Sequence, residues 1–309
     1  MIGPAVSAAS FCKNDVLIQE LLCKFSEAKL NRTGKVLQKE ELIQFLTGCR
    51  AAIVGTEQIS SEVLDKLPDL RFIAKYGVGL DNLDLKAMEK RGIALGWTGG
   101  VNRRSVSEMA LAFMIGLCRN LFFTSEKLRR GQWDKRGGVQ LSEKTVGIVG
   151  CGFVGTDLLK LLQPFGCNLL ICDILDKSDV CFEFNARQVD LDELLSNSDL
   201  VSLHVPLTEF TNQMVDAQFL QRMKESAYLI NTSRGAMICE SELEQALKEG
   251  VIAGAAVDVY QMEPPENLSY LGLPNLVCTP HIGGNAVEAV LAMGRSAIEH
   301  LIRWHRVSK

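Results

Sequence analysis

The sequence predicts an α/β protein built from two doubly wound parallel-sheet domains. Three observations carry that expectation. Short apolar runs rich in β-formers alternate with helix-length segments along almost the whole chain, the pattern of repeated βα units. Near the middle, Thr145 to Asp173 reads as strand, glycine-rich turn, helix, strand and acid. The length of 309 residues suits two domains as a prior.

The first hundred residues supply one set of units. Strands are expected at Ala5–Ala8, Ala28–Asn31, Ala51–Val54, Phe72–Lys75 and Ile93–Leu95. Helices are expected at Asn14–Lys24, Gln38–Leu46, Ser60–Lys66 and Asp84–Lys90. Ser60 offers a capping hydroxyl with an early acid at Glu62. Leu42, Ile43, Phe45 and Leu46 fit one apolar helix face. Tyr76-Gly-Val-Gly-Leu-Asp-Asn82 then follows a strand and precedes a helix. Such a loop is either an anion-binding nest of amides or a plain connection capped by Asp81 or Asn82.

Trp97 to Ser105 is glycine-rich and then basic, and reads as a hinge between domains. One long helix is expected from Val106 to about Phe123, apolar nearly all round and so buried in the core or at a subunit contact. Lys127 to Gly138 is polar, with Trp133 as an expected anchor. After the strand Thr145–Val149, the next helix is expected from Thr156 to Phe165 and the next strand at Leu169–Cys172. Further strands are expected at Leu200–Val205, Ala227–Asn231, Ile252–Asp258 and Leu276–His281. Between them lie helices at Asp190–Leu195, Gln218–Met223 and Glu240–Glu249. A final helix, about Asn285 to His305, is expected to return to the first domain.

Composition excludes several classes. The chain is 47% hydrophobic and 23% charged with net charge −4, an ordinary globular balance. There is no basic block to suggest nucleic acid. No apolar run nears the roughly 20 residues of a membrane span. The N-terminus lacks a basic segment followed by a long apolar core, so no signal peptide is expected. The ten cysteines form no C-x-x-C pair, and Cys118, Cys172 and Cys278 have apolar neighbours. They read as reduced thiols of a cytoplasmic protein, with no metal site.

Gly150-Cys-Gly152-Phe-Val-Gly155 has the spacing of a dinucleotide-binding turn. Gly150 permits the tight turn, Gly152 lets the backbone approach a pyrophosphate, and Gly155 lets helix and strand pack closely. The helix N-terminus faces the phosphates with unpaired N–H groups. Asp173, ending the second strand, suits a ribose 2′-OH and repels a 2′-phosphate, so NAD is favoured over NADP.

Four later strands end in polar residues: His204, Arg234, Asp258 and His281, with Glu263 close behind. Strand C-termini form the ligand edge of a parallel sheet. Hydride transfer to a 2-oxo acid needs a cation for the carboxylate, a proton donor for the carbonyl oxygen, and a partner that keeps the donor protonated. Arg234, His281 and Glu263 are the residue types for those tasks. Taken singly, each also has an ordinary reading: a surface ion pair, a packed histidine, a solvated loop acid.

Together these motifs resemble the D-isomer-specific 2-hydroxyacid dehydrogenase family. The resemblance rests on Gly150–Gly155, His204-Val-Pro-Leu-Thr208, Asn231-Thr-Ser-Arg-Gly235, Asp258-Val-Tyr with Glu263-Pro, and Thr279-Pro-His281-Ile-Gly283. Tyr76–Asn82 and Asn102–Glu108 are most similar to its phosphoglycerate dehydrogenase-like branch. The resemblance implies a Rossmann NAD-binding domain, 99–284, inserted in a flavodoxin-like substrate domain, 1–98 plus 285–309. It implies a cleft that closes on substrate and a homodimer formed through the cofactor domain. It implies catalysis by Arg234, Glu263 and His281, and substrate carboxylate binding by the amides of Val78 and Gly79. It places NAD against Gly150, Gly152, Phe153, Val154, Gly155, Asp173, His204, Val205, Pro206, Thr232, Asp258 and Gly283, with Asp258 on the nicotinamide carboxamide.

Some residues depart from the pattern. Gly55-Thr-Glu-Gln-Ile stands where phosphoglycerate enzymes of the family carry phosphate-binding arginines, which argues against 3-phosphoglycerate. Arg50, Lys75, Arg103 and Arg104 are the available substitutes. Trp97-Thr-Gly replaces the Asn-Thr-Pro type of hinge. With no regulatory extension in the sequence, no serine feedback is expected. The expected activity is hydride transfer between NAD and a small D-2-hydroxy acid, phosphoglycerate dehydrogenase-like or hydroxypyruvate/glyoxylate reductase-like. The competing class is a dehydrogenase-fold corepressor or scaffold that keeps the same Arg, Glu and His.

Overall fold

The computed structural model describes residues 3–307. Its strands are β1 Ala5–Val6, β2 Lys29–Leu30, β3 Ala51–Val54, β4 Phe72–Lys75, β5 Ala94–Gly96, β6 Thr145–Val149, β7 Asn168–Cys172, β8 Ala186–Gln188, β9 Leu200–Leu203, β10 Tyr228–Asn231, β11 Gly254–Val257 and β12 Leu276–Cys278. Its α-helices are α1 Asp15–Leu22, α2 Lys39–Leu46, α3 Ser61–Asp65, α4 Leu85–Lys90, α5 Arg103–Cys118, α6 Leu121–Arg129, α7 Phe153–Leu162, α8 Ser178–Phe184, α9 Leu191–Asn197, α10 Ala217–Arg222, α11 Glu240–Glu249, α12 Leu268–Leu271 and α13 Val287–Val307.

The chain forms two compact units, Met1–Asn102 with Val287–Lys309, and Arg103–Ala286. The first holds a five-stranded sheet ordered β2-β1-β3-β4-β5, and the second a seven-stranded sheet ordered β12-β11-β10-β9-β6-β7-β8. Every ladder is parallel. Parallel strands are covered on both faces and read as continuous apolar runs. That is why β3 and β4 are legible, each buried along its whole length. The strand order reverses direction beside β6, between β7 and β9, which makes the C-terminal end of β6 the switch point where ligands bind.

Short polar side chains start the helices. Asn14, Ser60, Asp84, Asp190 and Asp216 each accept a backbone N–H from the first turn. In the first unit α13 lies against β4 and α1. Gly294 permits this approach, since a Cβ there would stand 2.3 Å from a Leu17 methyl. Trp304 stacks on Phe72 with centroids 5.2 Å apart.

Four expectations need correction. The single helix expected over Val106–Phe123 is two helices, α5 and α6, meeting at 65°. Asn120 breaks it in the left-handed region, φ 52°, which asparagine tolerates better than other non-glycine residues. The break is held by tertiary bonds: Val139 N–H donates to the Cys118 carbonyl at 2.8 Å. Trp133 is no anchor; it is 78% exposed. Helix α7 starts three residues earlier than expected, directly on the glycine turn. Helix α8 and edge strand β8 were not expected, since Ala-Arg-Gln shows no apolar face. No single helix among the described residues is long and apolar enough to cross a membrane. The bent pair α5–α6 has the length and composition for it, but α5 buries Val106, Ala110, Phe113, Met114 and Leu117 within its own chain.

Candidate active site

The glycine turn leaves β6 at Gly150, whose φ of 89° disfavours any side chain. A Cβ there would also lie 2.6 Å from Val205 Cγ1 and 2.8 Å from the His204 carbonyl. At Gly155 a Cβ would meet the Gly150 carbonyl oxygen at 2.4 Å. Gly152 differs: beyond its chain neighbours, nothing among the described residues lies within 4 Å of a Cβ there, so a cradle stays open before the first turn of α7. Phe153 is exposed at the rim and Val154 half-buried.

Asp173 ties β7 to this turn. Its Oδ2 accepts the Cys151 N–H at 2.7 Å and its Oδ1 accepts the Leu175 N–H at 2.9 Å. Lys177 Nζ lies 3.6 Å from Oδ2. His204 follows β9, its Nε2 2.9 Å from Ser202 Oγ, and burial pushes its imidazole down to about 4, so it is neutral near pH 7. Val205 is half-buried and Pro206 exposed beyond it. Thr232, after β10, is 7% exposed and its Oγ1 has no hydrogen-bond partner among the described residues. An open cradle at Gly152 and an orphaned hydroxyl at Thr232, both at the ligand edge, fit a bound dinucleotide.

The proton-handling groups follow on the same edge, after β10, β11 and β12. Asn231 folds back to take the Ser233 N–H and give its amide to the Arg234 carbonyl, which fixes the turn bearing Arg234. His281 Nδ1 lies 2.7 Å from Glu263 Oε2, with both side chains partly open to solvent. The other oxygen of Glu263 accepts the Tyr260 N–H at 3.2 Å. His281 sits at φ 53°, a conformation non-glycine residues rarely adopt. The buried Asp258 pins that turn from below. Its Oδ1 accepts Thr279 Oγ1–H at 2.6 Å and the Ile282 N–H at 2.8 Å, and its Oδ2 accepts the Gly283 N–H at 2.7 Å. Ser105 Oγ donates to the Gly283 carbonyl at 2.5 Å.

In the first unit, Val78 and Gly79 follow β4 at the C-terminal edge of the five-stranded sheet. Among the described residues, neither N–H donates to a protein acceptor. Trp97 Nε1 donates to the Val78 carbonyl at 2.9 Å, so the unexpected tryptophan braces this loop. A buried polar cluster beneath it escaped sequence reasoning. Lys75 Nζ donates to the Gly55 carbonyl and, at 2.7 Å, to Asn82 Oδ1. Asn82 Nδ2 donates to the carbonyls of Gly55 and Glu57. Glu57 Oε2 accepts the Gly55 N–H at 2.6 Å, and burial, opposed by these bonds and by Lys75, pushes its carboxyl up. No spacing signal links residues 55, 57, 75 and 82; the pairing of Val54 with Lys75 across β3 and β4 brings them together.

The comparisons agree with this chemistry. Residues 111–283 match the model of the D-isomer specific 2-hydroxyacid dehydrogenase NAD-binding domain. The chain belongs to the D-isomer specific 2-hydroxyacid dehydrogenase family, a class of NAD-dependent oxidoreductases. It is 38% identical over 273 residues to the glyoxylate reductase of Thermofilum pendens, covering 85% of this chain and 80% of that one. It is 34% identical over 296 residues to the D-3-phosphoglycerate dehydrogenase of Methanocaldococcus jannaschii, covering 93% of this chain and 56% of that one. Among solved structures it resembles the D-lactate dehydrogenase of Aquifex aeolicus complexed with NAD and lactic acid, with TM-score 0.85, 26% identity, and 98% and 95% of the two chains covered. The corepressor reading is not favoured.

Proposed function

We propose that this enzyme reduces a small unphosphorylated 2-oxo acid, of the glyoxylate or hydroxypyruvate type, to the D-2-hydroxy acid. The observation that carries the chemistry is the 2.7 Å contact between His281 Nδ1 and Glu263 Oε2. It occupies Nδ1 and leaves Nε2 to give a proton to the substrate carbonyl oxygen, or to take one back in oxidation. Arg234 orients the substrate carboxylate through its planar fork. The free amides of Val78 and Gly79 offer further donors to that carboxylate. NADH, when bound, supplies the hydride. Gly150, Gly152, Phe153, Val154 and Gly155 hold its pyrophosphate, and Asp173 its ribose. His204, Val205, Pro206, Thr232 and Gly283 flank the nicotinamide end, and Asp258 Oδ2, with a single bond from Gly283, retains capacity for the carboxamide.

The preference for an unphosphorylated substrate rests on where three of the four candidate cations go. Lys75 is buried and bonded to Gly55 and Asn82. Arg104 pairs with Asp157 at 2.9 Å. Arg50 precedes β3, at the edge of the sheet opposite Val78, and lies 5.9 Å over the Trp304 ring. The residues 99–284 act as the cofactor domain, and 1–98 with 285–309 as the substrate domain. The enzyme works as a cytoplasmic homodimer, a reading supported by ten free thiols and by the exposed apolar residues of α6.

The test is NADH oxidation, followed by absorbance, with glyoxylate, hydroxypyruvate, pyruvate and phosphohydroxypyruvate, each repeated with NADPH. Faster turnover of an unphosphorylated acid with NADH is expected. A strong preference for phosphohydroxypyruvate would overturn the substrate assignment.

A further inference from the structure

We propose that Tyr260 is the positioning residue of the catalytic group, the one point from which the supports of Arg234, Glu263 and His281 are held in register. The inference rests on the roles given to those three residues above. Tyr260 meets each support with a different part of itself. Its backbone N–H donates to Glu263 Oε1 at 3.2 Å. Its phenol Oη donates to the Thr279 carbonyl at 2.9 Å, and that same oxygen accepts the His281 N–H at 3.0 Å. Its main chain forms the wall against Gly235, next to Arg234: a Cβ at 235 would stand 1.9 Å from the Tyr260 carbonyl carbon.

Such a bracket has a purpose here. The His281 and Glu263 side chains are both more than a third exposed, so packing does not hold them. His281 also occupies a left-handed backbone conformation that relaxes unless its neighbours over-determine it. Asp258 holds the turn through the Thr279 hydroxyl and the N–H groups of Ile282 and Gly283. The Tyr260 phenol adds a second hold at Thr279, on the carbonyl that also accepts the His281 N–H. The ring itself is buried in the main core cluster of the second unit, which makes it a rigid post. Burial, aided by the Cys278 thiol, pushes the phenol up, so it stays a hydrogen-bond donor at every working pH. A phenylalanine would fill the same space and keep the N–H bond to Glu263. It would lose the bond to Thr279 and the phenol's hydrogen-bonding contact with the Cys278 thiol.

The test is Tyr260→Phe, assayed with NADH and glyoxylate or hydroxypyruvate, alone and in a Glu263→Gln background. A misplacement of about 1 Å at a reacting group costs on the order of a hundredfold, so a partial loosening is expected to lower kcat about tenfold. NADH affinity, read by fluorescence titration, and the unfolding temperature are expected to stay at wild-type values. In the Glu263→Gln background the further loss is expected to shrink to about threefold or less, because the contact that Tyr260 protects is already weakened. A wild-type kcat in Tyr260→Phe overturns the proposal. So does a full multiplicative loss in the double variant, which marks a role independent of the His281–Glu263 pair. His281→Ala serves as the control. If it retains full activity, the catalytic reading itself fails; if it is inactive while Tyr260→Phe is unimpaired, only the role of Tyr260 falls.

Discussion

The Asp173 carboxylate accepts the N–H of Cys151 at 2.7 Å, so the acid that ends β7 also shapes the glycine turn that ends β6. One residue therefore carries two tasks: it braces the pyrophosphate loop and presents negative charge to the ribose. Asp173→Ala is expected to raise the KM for NADH and to relax discrimination against NADPH by about tenfold, the worth of a charged hydrogen bond. Lys177, 3.6 Å from the same carboxylate, then becomes available to a 2′-phosphate. Unchanged NADH/NADPH ratios of kcat/KM in this variant would show that another residue reads the ribose.

Gly150 and Gly152 stand two residues apart and fail for different reasons when substituted. Gly150→Ala must place a side chain at φ 89° and within 2.6 Å of Val205 Cγ1. Left-handed strain and overpacking together are expected to cost about 2 kcal/mol or more of stability. Gly152→Ala meets no atom within 4 Å among the described residues beyond its chain neighbours. Its unfolding midpoint is expected to match the wild type, while NADH affinity falls because the methyl group occupies the cradle. Denaturant titration and NADH fluorescence on the same two variants separate the cases. Equal stability losses in both would refute the open cradle.

Much of this arrangement was legible in the sequence, and what was not has physical causes. β3 and β4 were bounded correctly because strands covered on both faces leave continuous apolar runs. β8 was missed because an edge strand reading Ala-Arg-Gln has no such run. The break at Asn120 carries neither glycine nor proline; a bond from Val139, more than twenty residues beyond the helix start, helps to hold it. In the candidate site, residue type pointed to Glu263 and His281. The clamps by Asp258 and Tyr260 depend on the parallel register of β10, β11 and β12, and that by Ser105 comes from α5, 178 residues away in sequence; no local pattern encodes either.

Arg234 and His281 are expected to be dispensable for the cofactor and required for turnover. Arg234→Ala removes the carboxylate fork and His281→Ala removes the proton donor, each expected to cost about a hundredfold or more in kcat. Neither side chain belongs to the glycine turn, so NADH binding is expected to change little. Near-normal rates in either variant would sink the assignment of roles.

Helix α6 is the place to test self-association. It buries none of its own residues, although Leu121, Phe122 and Leu128 lie on it. Leu121 and Leu128 are more than half exposed, and the nearby Trp133 is 78% exposed. Exposed apolar residues concentrated on one segment mark an interaction surface. Leu128→Lys with Trp133→Lys is expected to convert a dimer into a monomer, read by sedimentation. A wild-type chain that sediments as a monomer would remove the dimer reading.

His204 gives the fold a pH signature that can be worked out in sign. Burial holds its imidazole at about 4, below the ordinary value of 6.5. Above 6.5 it is neutral in both folded and unfolded chains and contributes no pH dependence. As the pH falls from 6.5 toward 4, the unfolded chain takes up a proton that the folded chain refuses, so stability is lost across that window. Discounted for partial exposure, the loss is about 2 kcal/mol. His300, lowered by burial and by Arg303, adds to the same window. The lowered carboxylates of Glu20, Asp176 and Glu244 contribute below the ordinary carboxylate range instead. His204→Gln is therefore expected to flatten the decline in unfolding midpoint between pH 6.5 and 5 while leaving the steeper fall at lower pH. A slope in that upper window equal to the wild type would show that His204 is not held neutral by burial.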